Sequence, residues 1–293
     1  IGIPAYNEEK NIGNLLNQLI NQNISCGVIE SIIVASDGSI DKTAQIVKGI
    51  KDKKVFLING KTRHGKAYRQ NQIVKKTRSN VLVLLDADTS IKDSIFLEKL
   101  VKPIVAKEAD LTSSTLIELP VRGFLERVLA VSMQLKRVLF ASFKNGNNIY
   151  NCHGPARAFS KKACRLLNFI ESDGEDMYSY LVCVRNGLKF LYVSDAQIMY
   201  RLPSNLKDHT KQSMRFFLSE KKYEKYFNSG FGKKEFSIPL YVFFIAFAKA
   251  LPIIIRNLPY IVVYIFIFLY TKAKVSFGKK YGEMWQIASS KSL

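Results

Sequence analysis

Residues 81–90 read VLVLLDADTS. Five apolar residues in a row, rich in valine and leucine, predict a strand buried on both faces. Two carboxylates one residue apart, Asp86 and Asp88, follow it at once. Outward from this point the first 115 residues alternate two signals. Apolar runs occupy 1–4, 31–35, 55–58 and 81–85, and helical stretches lie near 8–22, 41–50 and 65–78. Strands alternating with helices predict βαβ units and a parallel sheet, whose ligands bind outside the carboxyl ends of the strands. Asp86 and Asp88 stand at such an end, where two hard oxygen donors suit Mg²⁺ or Mn²⁺ bridging a diphosphate.

The other strand ends carry their own motifs. The first ends in PAYNEE: Tyr6 offers a ring for stacking a base, and Glu8 is expected in the first turn of a helix, where acidic residues also suit the positive dipole end. The second ends in ASDGS, with Asp37 before a glycine. TRHGKA places Arg63 and Lys66 around Gly65, apt for phosphate. Three consecutive loops with acidic residues on one edge say more than any one of them. Further on, ESDGEDMYSYL opens an apparent helix with Asp173, Glu175 and Asp176, and QSMRFF places Gln212 and Arg215 three apart, on one helical face. Residues 122–143 read as a long amphipathic helix.

The chain has 293 residues, 47% hydrophobic and 23% charged, enough to bury a large core. Its four cysteines and three histidines are scattered, which argues against a disulfide scaffold or a cysteine- or histidine-rich metal site. No basic-then-apolar leader opens it, so a cleaved secretory signal is not expected. The net charge is +20, and from Arg201 onward 16 basic residues face 5 acidic ones, a net +11. Nucleic acid, an anionic membrane or a phosphorylated substrate would each fit that sign. Nucleic acid is set aside, because metal-free carboxylates on every loop of one edge repel phosphates.

The basic region encloses an apolar one. Residues 238–271 contain only Lys249, Arg256 and Asn257 as strongly polar positions. The first 18 residues would reach about 27 Å as a helix, close to a hydrocarbon core of about 30 Å, and the last 14 only about 21 Å. Pro252 and Pro259 are expected to kink or divide a continuous helix, and Lys272, Lys274, Lys279 and Lys280 suit the headgroup side. Membrane association is the expectation, whether by crossing, hairpin or interfacial helices. The basic flanks put the catalytic domain on the cytoplasmic side.

PAYNEE, SDGS, DAD, GED and Q-x-x-R in this order and spacing resemble the family-2 glycosyltransferases with a GT-A fold, over roughly residues 1–217. The resemblance implies an α/β fold, a mixed sheet with flanking helices, divided as 1–230 catalytic (1–115 for the nucleotide, 116–230 for the acceptor) and 231–293 membrane-associated. It implies that Pro4, Tyr6, Glu8, Asp37, Lys66 and Asp86 hold the nucleotide, and that Asp88 with Asp86 holds Mg²⁺ or Mn²⁺. It assigns the catalytic base to Asp176, beside Glu175. Gly154 and Pro155 would shape the acceptor floor, and Gln212, Arg215 and Phe216 would lie near diphosphate and acceptor. Phe216 stands where polymerising relatives have tryptophan, and Ser36 where many have a second aspartate. The implied activity is inverting transfer of a sugar from a nucleotide-diphosphate donor, UDP before GDP, to a lipid-linked or glycan acceptor. A nucleotidyltransferase on sugar phosphates is the nearest rival, though it calls for a glycine-rich basic loop where this chain has PAYNEE. A catalytically inactive membrane partner is the other.

Overall fold

The computed structural model describes residues 1–170, 174–227 and 230–277. One eight-stranded sheet runs through it in the order β3-β2-β1-β4-β7-β6-β8-β5. The strands are β1 (Gly2–Ala5), β2 (Ile32–Asp37), β3 (Val55–Gly60), β4 (Val81–Leu85), β5 (Thr89–Ser90), β6 (Leu111–Glu118), β7 (Ala156–Ser160) and β8 (Phe190–Tyr200). The first four pair in parallel, as their alternation with helices α1 (Ile12–Ile20), α2 (Thr43–Gly49) and α3 (Lys66–Lys76) demands. Beyond β4 the sheet turns mixed: β7 runs antiparallel to β4 and β6, while β6 and β8 are parallel. The expected boundary at 115/116 falls inside β6.

Both faces of the parallel half are covered, and the alternation of side chains shows it. Ile32, Val34, Val83 and Leu85 join one core with Leu15, Leu16, Leu19, Phe96 and Leu100. Ile33, Ala35, Leu82 and Leu84 join the other with Ile73, Phe159, Tyr178 and Leu181. The helices that supply these layers include α4 (Phe96–Val105), α6 (Lys161–Leu166) and α7 (Glu175–Arg185). Helix α1 starts later than expected. Glu8 lies one turn ahead of it, and its carbonyl accepts the N–H groups of Asn11 and Ile12 in a tight entry turn.

The carboxyl ends of β1 and β2 are locked together. Asn7 takes a left-handed conformation, its N–H donates to Ser39 Oγ at 3.1 Å, and its side-chain oxygen accepts from Ile40 N–H at 3.0 Å. Glu8 N–H donates to Thr43 Oγ1 at 2.7 Å, Glu9 N–H donates to Asp41 Oδ2 at 3.0 Å, and Glu9 Oε2 accepts from Lys42 N–H at 3.0 Å across the same seam. Gly38 permits the third side of this junction. Its φ is +70°, and a Cβ there would lie 2.9 Å from the Thr62 carbonyl carbon.

The remaining helices form the far side. They are α5 (Phe124–Ser142), α8 (Leu206–Tyr226), α9 (Phe231–Phe236) and α10 (Leu240–Phe277). The apolar stretch is a 38-residue element in which two helical pieces meet at a kink, in line with its two prolines. Its break is a single non-helical residue, Asn257, two positions before Pro259. The Asn257 side chain donates to the Ile253 carbonyl at 2.9 Å, which satisfies an acceptor at the bend. At about 1.5 Å per residue, α10 spans roughly 57 Å, nearly twice a hydrocarbon core. It rests on the protein through small and aromatic residues. Val242, Ala246 and Ala250 are buried at one-turn spacing, Tyr260 meets Phe124, Tyr264 meets His209, and Phe268 meets Phe217. The outer side is bare: Phe243, Phe244, Phe247, Ile255, Phe266 and Leu269 are all exposed. Only 17% of its most apolar stretch is buried among the described residues. Just ahead of it, the buried Glu235 of α9 accepts from Lys144 Nζ at 2.6 Å and from the Tyr180 hydroxyl of α7 at 2.8 Å. Lys279 and Lys280 lie outside the described residues.

Gly38→Ala should destabilise the fold by about 1–3 kcal/mol, from left-handed strain plus the Thr62 contact. Denaturant titration checks this. An unchanged midpoint would mean that the 62–65 loop gives way freely.

Candidate active site

The turn after β4 is pinned from two sides. Asp86 N–H donates to the Pro155 carbonyl at 3.0 Å, and Thr89 Oγ1 donates to the Asp86 carbonyl at 2.6 Å. Lys66, the first residue of α3, donates to Asp86 Oδ1 at 2.7 Å and also pairs with Glu175 Oε1. Lys66 therefore bridges the loop after β3, the end of β4 and the start of α7. Burial alone would pull its ammonium down, but Asp86 and Glu175 outweigh that and hold it above the ordinary lysine value.

Glu175 and Asp176 share one turn, and their acidities shift in opposite directions. Burial works against both. For Glu175 the cations Lys66 and Arg157 prevail and bring it down to about 2. For Asp176 burial and the neighbouring Glu175 charge prevail and raise it. One Asp176 oxygen, Oδ1, accepts from Met177 N–H at 2.8 Å. The other, Oδ2, faces a space over Gly154. A Cβ built on Gly154 would stand 3.6 Å from Asp176 Oδ2 and 3.7 Å from both Asp86 Oδ2 and Glu175 Oε1. The missing side chain thus leaves a gap walled by three carboxylates. His153, next in the chain, donates its N–H to Ser113 Oγ at 2.8 Å, and burial with nearby Arg137 brings its ring down to about 4, so it is neutral at pH 7.

Arg157 lies beneath this group with no exposed surface. Its Nη1 donates to the Glu175 carbonyl at 2.9 Å and to Ser179 Oγ at 2.8 Å. Helix α7 starts at Gly174, whose φ of +83° brings the backbone close to Ser219 and Tyr223 of α8.

A family model described as Glycosyl transferase family 2 matches residues 1–167, more than half of the chain. The chain belongs to glycosyl transferase family 2. It is 30% identical over 112 residues to a dolichyl-phosphate beta-glucosyltransferase of Trichomonas vaginalis, covering 35% of each protein. A second such protein from that organism is 26% identical over 180 residues, 56% of this chain and 54% of the relative. A 4,4'-diaponeurosporenoate glycosyltransferase of Staphylococcus aureus is 36% identical over 98 residues, 32% of this chain and 25% of the relative. The chain thus spans a quarter to about half the length of these curated relatives. Among solved structures, a mannosyltransferase from Pyrobaculum calidifontis in complex with GDP-Man and Mn²⁺ superposes with a TM-score of 0.60 at 16% identity, over 95% of this chain and 75% of that one. S. aureus TarS with UDP-GlcNAc gives 0.51 at 19% identity, over 70% and 58%. The architecture is the GT-A fold.

Within that fold, Lys66, Asp86, Gly154, Glu175 and Asp176 come together, and Asp88 sits half-buried two residues from Asp86. Pro155 meets them through its carbonyl. Tyr6 lies under the Arg63 guanidinium, 4.0 Å from its carbon to the ring centroid, and Arg63 Nε and Nη2 are buried without a hydrogen-bond partner. Pro4 is buried in β1, paired with Ala35. Glu8 is 5% exposed, and its Oε2 accepts from Asn11 Nδ2 at 2.7 Å. Gln212 and Arg215 lie half-buried on α8, two turns and one turn ahead of Ser219, and Phe216 is 39% exposed with its ring 6.4 Å from Tyr150. Asp173 lies outside the described residues.

Asp37 is engaged within the protein. It has no exposed surface, Oδ1 accepts from His64 N–H and Arg69 Nε, and Oδ2 accepts from Gly65 N–H, all at 2.8 Å. Its charge holds Arg69 and shapes the loop that delivers Lys66. Arg69 and Arg157 escaped the sequence reading; each is an arginine inside an otherwise core-facing pattern, and that mismatch was the available signal.

Asp37→Ala leaves the Arg69 guanidinium buried without its partner, which should destabilise the protein by roughly 3–5 kcal/mol. Adding Arg69→Met should recover much of the loss. Thermal unfolding of the single and double variants reads this, and a single variant as stable as wild type would release Asp37 from the structural role.

Proposed function

We propose that the protein is an inverting glycosyltransferase that moves a sugar from a nucleotide-diphosphate donor, UDP before GDP, to a lipid-linked or glycan acceptor at a membrane surface. The observation that carries this reading is the convergence of Asp86, Glu175 and Asp176 over Gly154 at the carboxyl edge of the parallel strands. Residues 1–115 would hold the donor and 116–230 the acceptor, with the chain beyond 231 at the membrane. The named relatives act on lipid-borne acceptors, and the two superposing structures hold GDP-Man with Mn²⁺ and UDP-GlcNAc.

Tyr6 and Arg63 offer a ring and two unused N–H donors to a base, beside Pro4, Glu8 and the loop that Asp37 organises. Asp86 and Asp88 present hard carboxylate oxygens suited to Mg²⁺ or Mn²⁺. Among the described residues no group of three or more His, Cys, Asp or Glu is placed to hold a cation, so donor diphosphate oxygens would complete its shell. The ion, when bound, supplies positive charge against the departing nucleoside diphosphate. Lys66, kept protonated by its two carboxylates, adds charge of the same sign, and Arg215 could add more from α8. Asp176, raised above the ordinary aspartate value, is the base that takes the acceptor proton through Oδ2. Gly154 leaves room for the reacting groups beside Pro155, and Gln212 and Phe216 flank the acceptor side.

The exposed apolar side of α10 would rest among lipid acyl chains. Lys272 and Lys274 would reach anionic headgroups and set the catalytic domain on the cytoplasmic side.

Asp176→Asn should lower kcat by about 10²–10⁴-fold on a hydroxyl acceptor while donor affinity stays within about twofold. A phosphomonoester acceptor is already ionised, so the same variant should lose little on it. Turnover on both acceptor types, with calorimetric titration of UDP and GDP in the presence and absence of Mn²⁺, separates these cases. Metal-dependent nucleotide binding that survives Asp88→Ala would count against the metal assignment. Phe244→Glu with Phe247→Glu should reduce flotation on anionic vesicles and leave nucleotide binding unchanged. Undiminished flotation would remove α10 as the membrane contact.

A further inference from the structure

Arg157 is an expensive residue that the local fold does not ask for. It stands in the middle of β7, in register with Leu84 of β4 and Ser113 of β6, where a leucine or methionine would pack. It is fully buried, no carboxylate pairs with it in a salt bridge among the described residues, and its Nε and Nη2 have no hydrogen-bond partner. Desolvating a guanidinium under these terms works against folding. It also sits near the positive end of a helix, where a cation is unfavourable. A group held at such cost requires a reason other than stability.

The contacts of Nη1 supply one. It donates directly to the Glu175 carbonyl, and it donates to Ser179 Oγ, whose hydroxyl in turn donates to the Asp176 carbonyl at 2.8 Å. One guanidinium therefore grips the backbone of both acidic residues, one directly and one through a hydroxyl. Helix α7 has no side-chain cap at its start, since its N-cap is Gly174 in the left-handed conformation. Core packing of Met177 and Tyr178 seats the turn, and Cys152 Sγ lies 3.6 Å from the Asp176 carbonyl, but Arg157 is the charged group that holds both first-turn carbonyls from the sheet side. A rotation of one residue, about 100°, would carry Asp176 Oδ2 away from Asp86 and break the Lys66 bridge to Glu175. Because Pro155, the residue just ahead of β7, supplies the carbonyl that pins Asp86, the same segment references both sides of the gap.

We propose that Arg157 is a positioning residue for sugar transfer: by holding the carbonyls of Glu175 and, through Ser179, of Asp176, it sets the rotation of the first turn of α7 that aims both carboxylates at the space over Gly154. This rests on the function proposed above. It assigns Arg157 no contact with substrate.

Three variants of the full chain test it: Arg157→Met, Arg157→Lys and Ser179→Ala. Arg157→Met should lower kcat about 10- to 100-fold, leave nucleotide affinity within about twofold, and leave the thermal midpoint unchanged or higher. Hydrogen exchange of the amides from Tyr178 to Tyr180 should speed up at least tenfold, while amides of β4 and β7 keep their rates. Arg157→Lys, with one donor able to reach the Glu175 carbonyl, should recover part of kcat. Ser179→Ala, which cuts only the second grip, should fall between, and it keeps the test open if Arg157→Met does not fold. Exchange accelerated across the whole sheet with a lowered midpoint would show a merely structural arginine and overturn the inference. A raised acceptor KM at unchanged kcat would make Arg157 a substrate ligand and overturn it equally. If wild-type protein transfers no sugar from any nucleotide donor, the function proposed above falls, and the exchange rates of Arg157→Met still decide whether the grip exists.

Discussion

A single ammonium group ties the molecule's two halves at the point of interest. Lys66 reaches Asp86 on the parallel side of the sheet and Glu175 on the mixed side, and all three are largely shielded from water. Such a bridge works only if each partner arrives by a rigid route. Lys66 arrives at the head of α3, downstream of a loop that Asp37 and Arg69 hold from inside. Asp86 arrives on a turn bonded to the residue just ahead of β7. Glu175 arrives on a helix whose first turn lies on Arg157. Buried charge is costly, so the arrangement is a chain of compensations: each ionised group is kept in the protein by the next.

The same logic divides the acidic residues into two kinds. Asp37 accepts three hydrogen bonds from the protein, engaging both oxygens. Asp176 commits one oxygen to the backbone and turns the other toward open space. Both end or follow core elements and both look alike in a motif, yet only the second retains an oxygen facing outward from its own framework. The Glu8 carboxylate also accepts from within the protein, from Asn11 Nδ2, while the backbone N–H groups of Asn7 and Glu8 lace the β1 and β2 loops together.

What could be read from the sequence was what depends on near neighbours. The strand 81–85 was expected at its observed limits, and α7 begins where its acidic residues suggested. Helix α1 was expected to begin near Glu8, but the entry turn 8–11 and its bonds to residues 39–43 delay it; those partners lie some 30 residues away and leave no local trace. The mixed sheet was expected from the family resemblance and is observed, but its register left no local trace, since β7 pairs with β4 across more than 70 residues. Two prolines in the tail argued for a kink or a division, and the structure has a kink at Asn257, whose side-chain amide donates to the Ile253 carbonyl. Arg157 stands out in the sequence only as a charged residue beside Ala156, Ala158 and Phe159, and its meaning depends on which helix lies over it.

Gly154 deserves a last consequence. Contacts of 3.6–3.7 Å are ordinary van der Waals distances, so an added methyl would meet no clash and the backbone there needs no left-handed conformation. Folding is therefore indifferent to alanine at this position. The methyl would instead occupy the middle of the gap between three carboxylates. A library sorted for expression or thermal tolerance would retain such a variant without remark, and only a sort for turnover would discard it. Position 154 is thus a site where robustness and usefulness diverge, and where a stable homologue can be silent without showing any defect in its architecture.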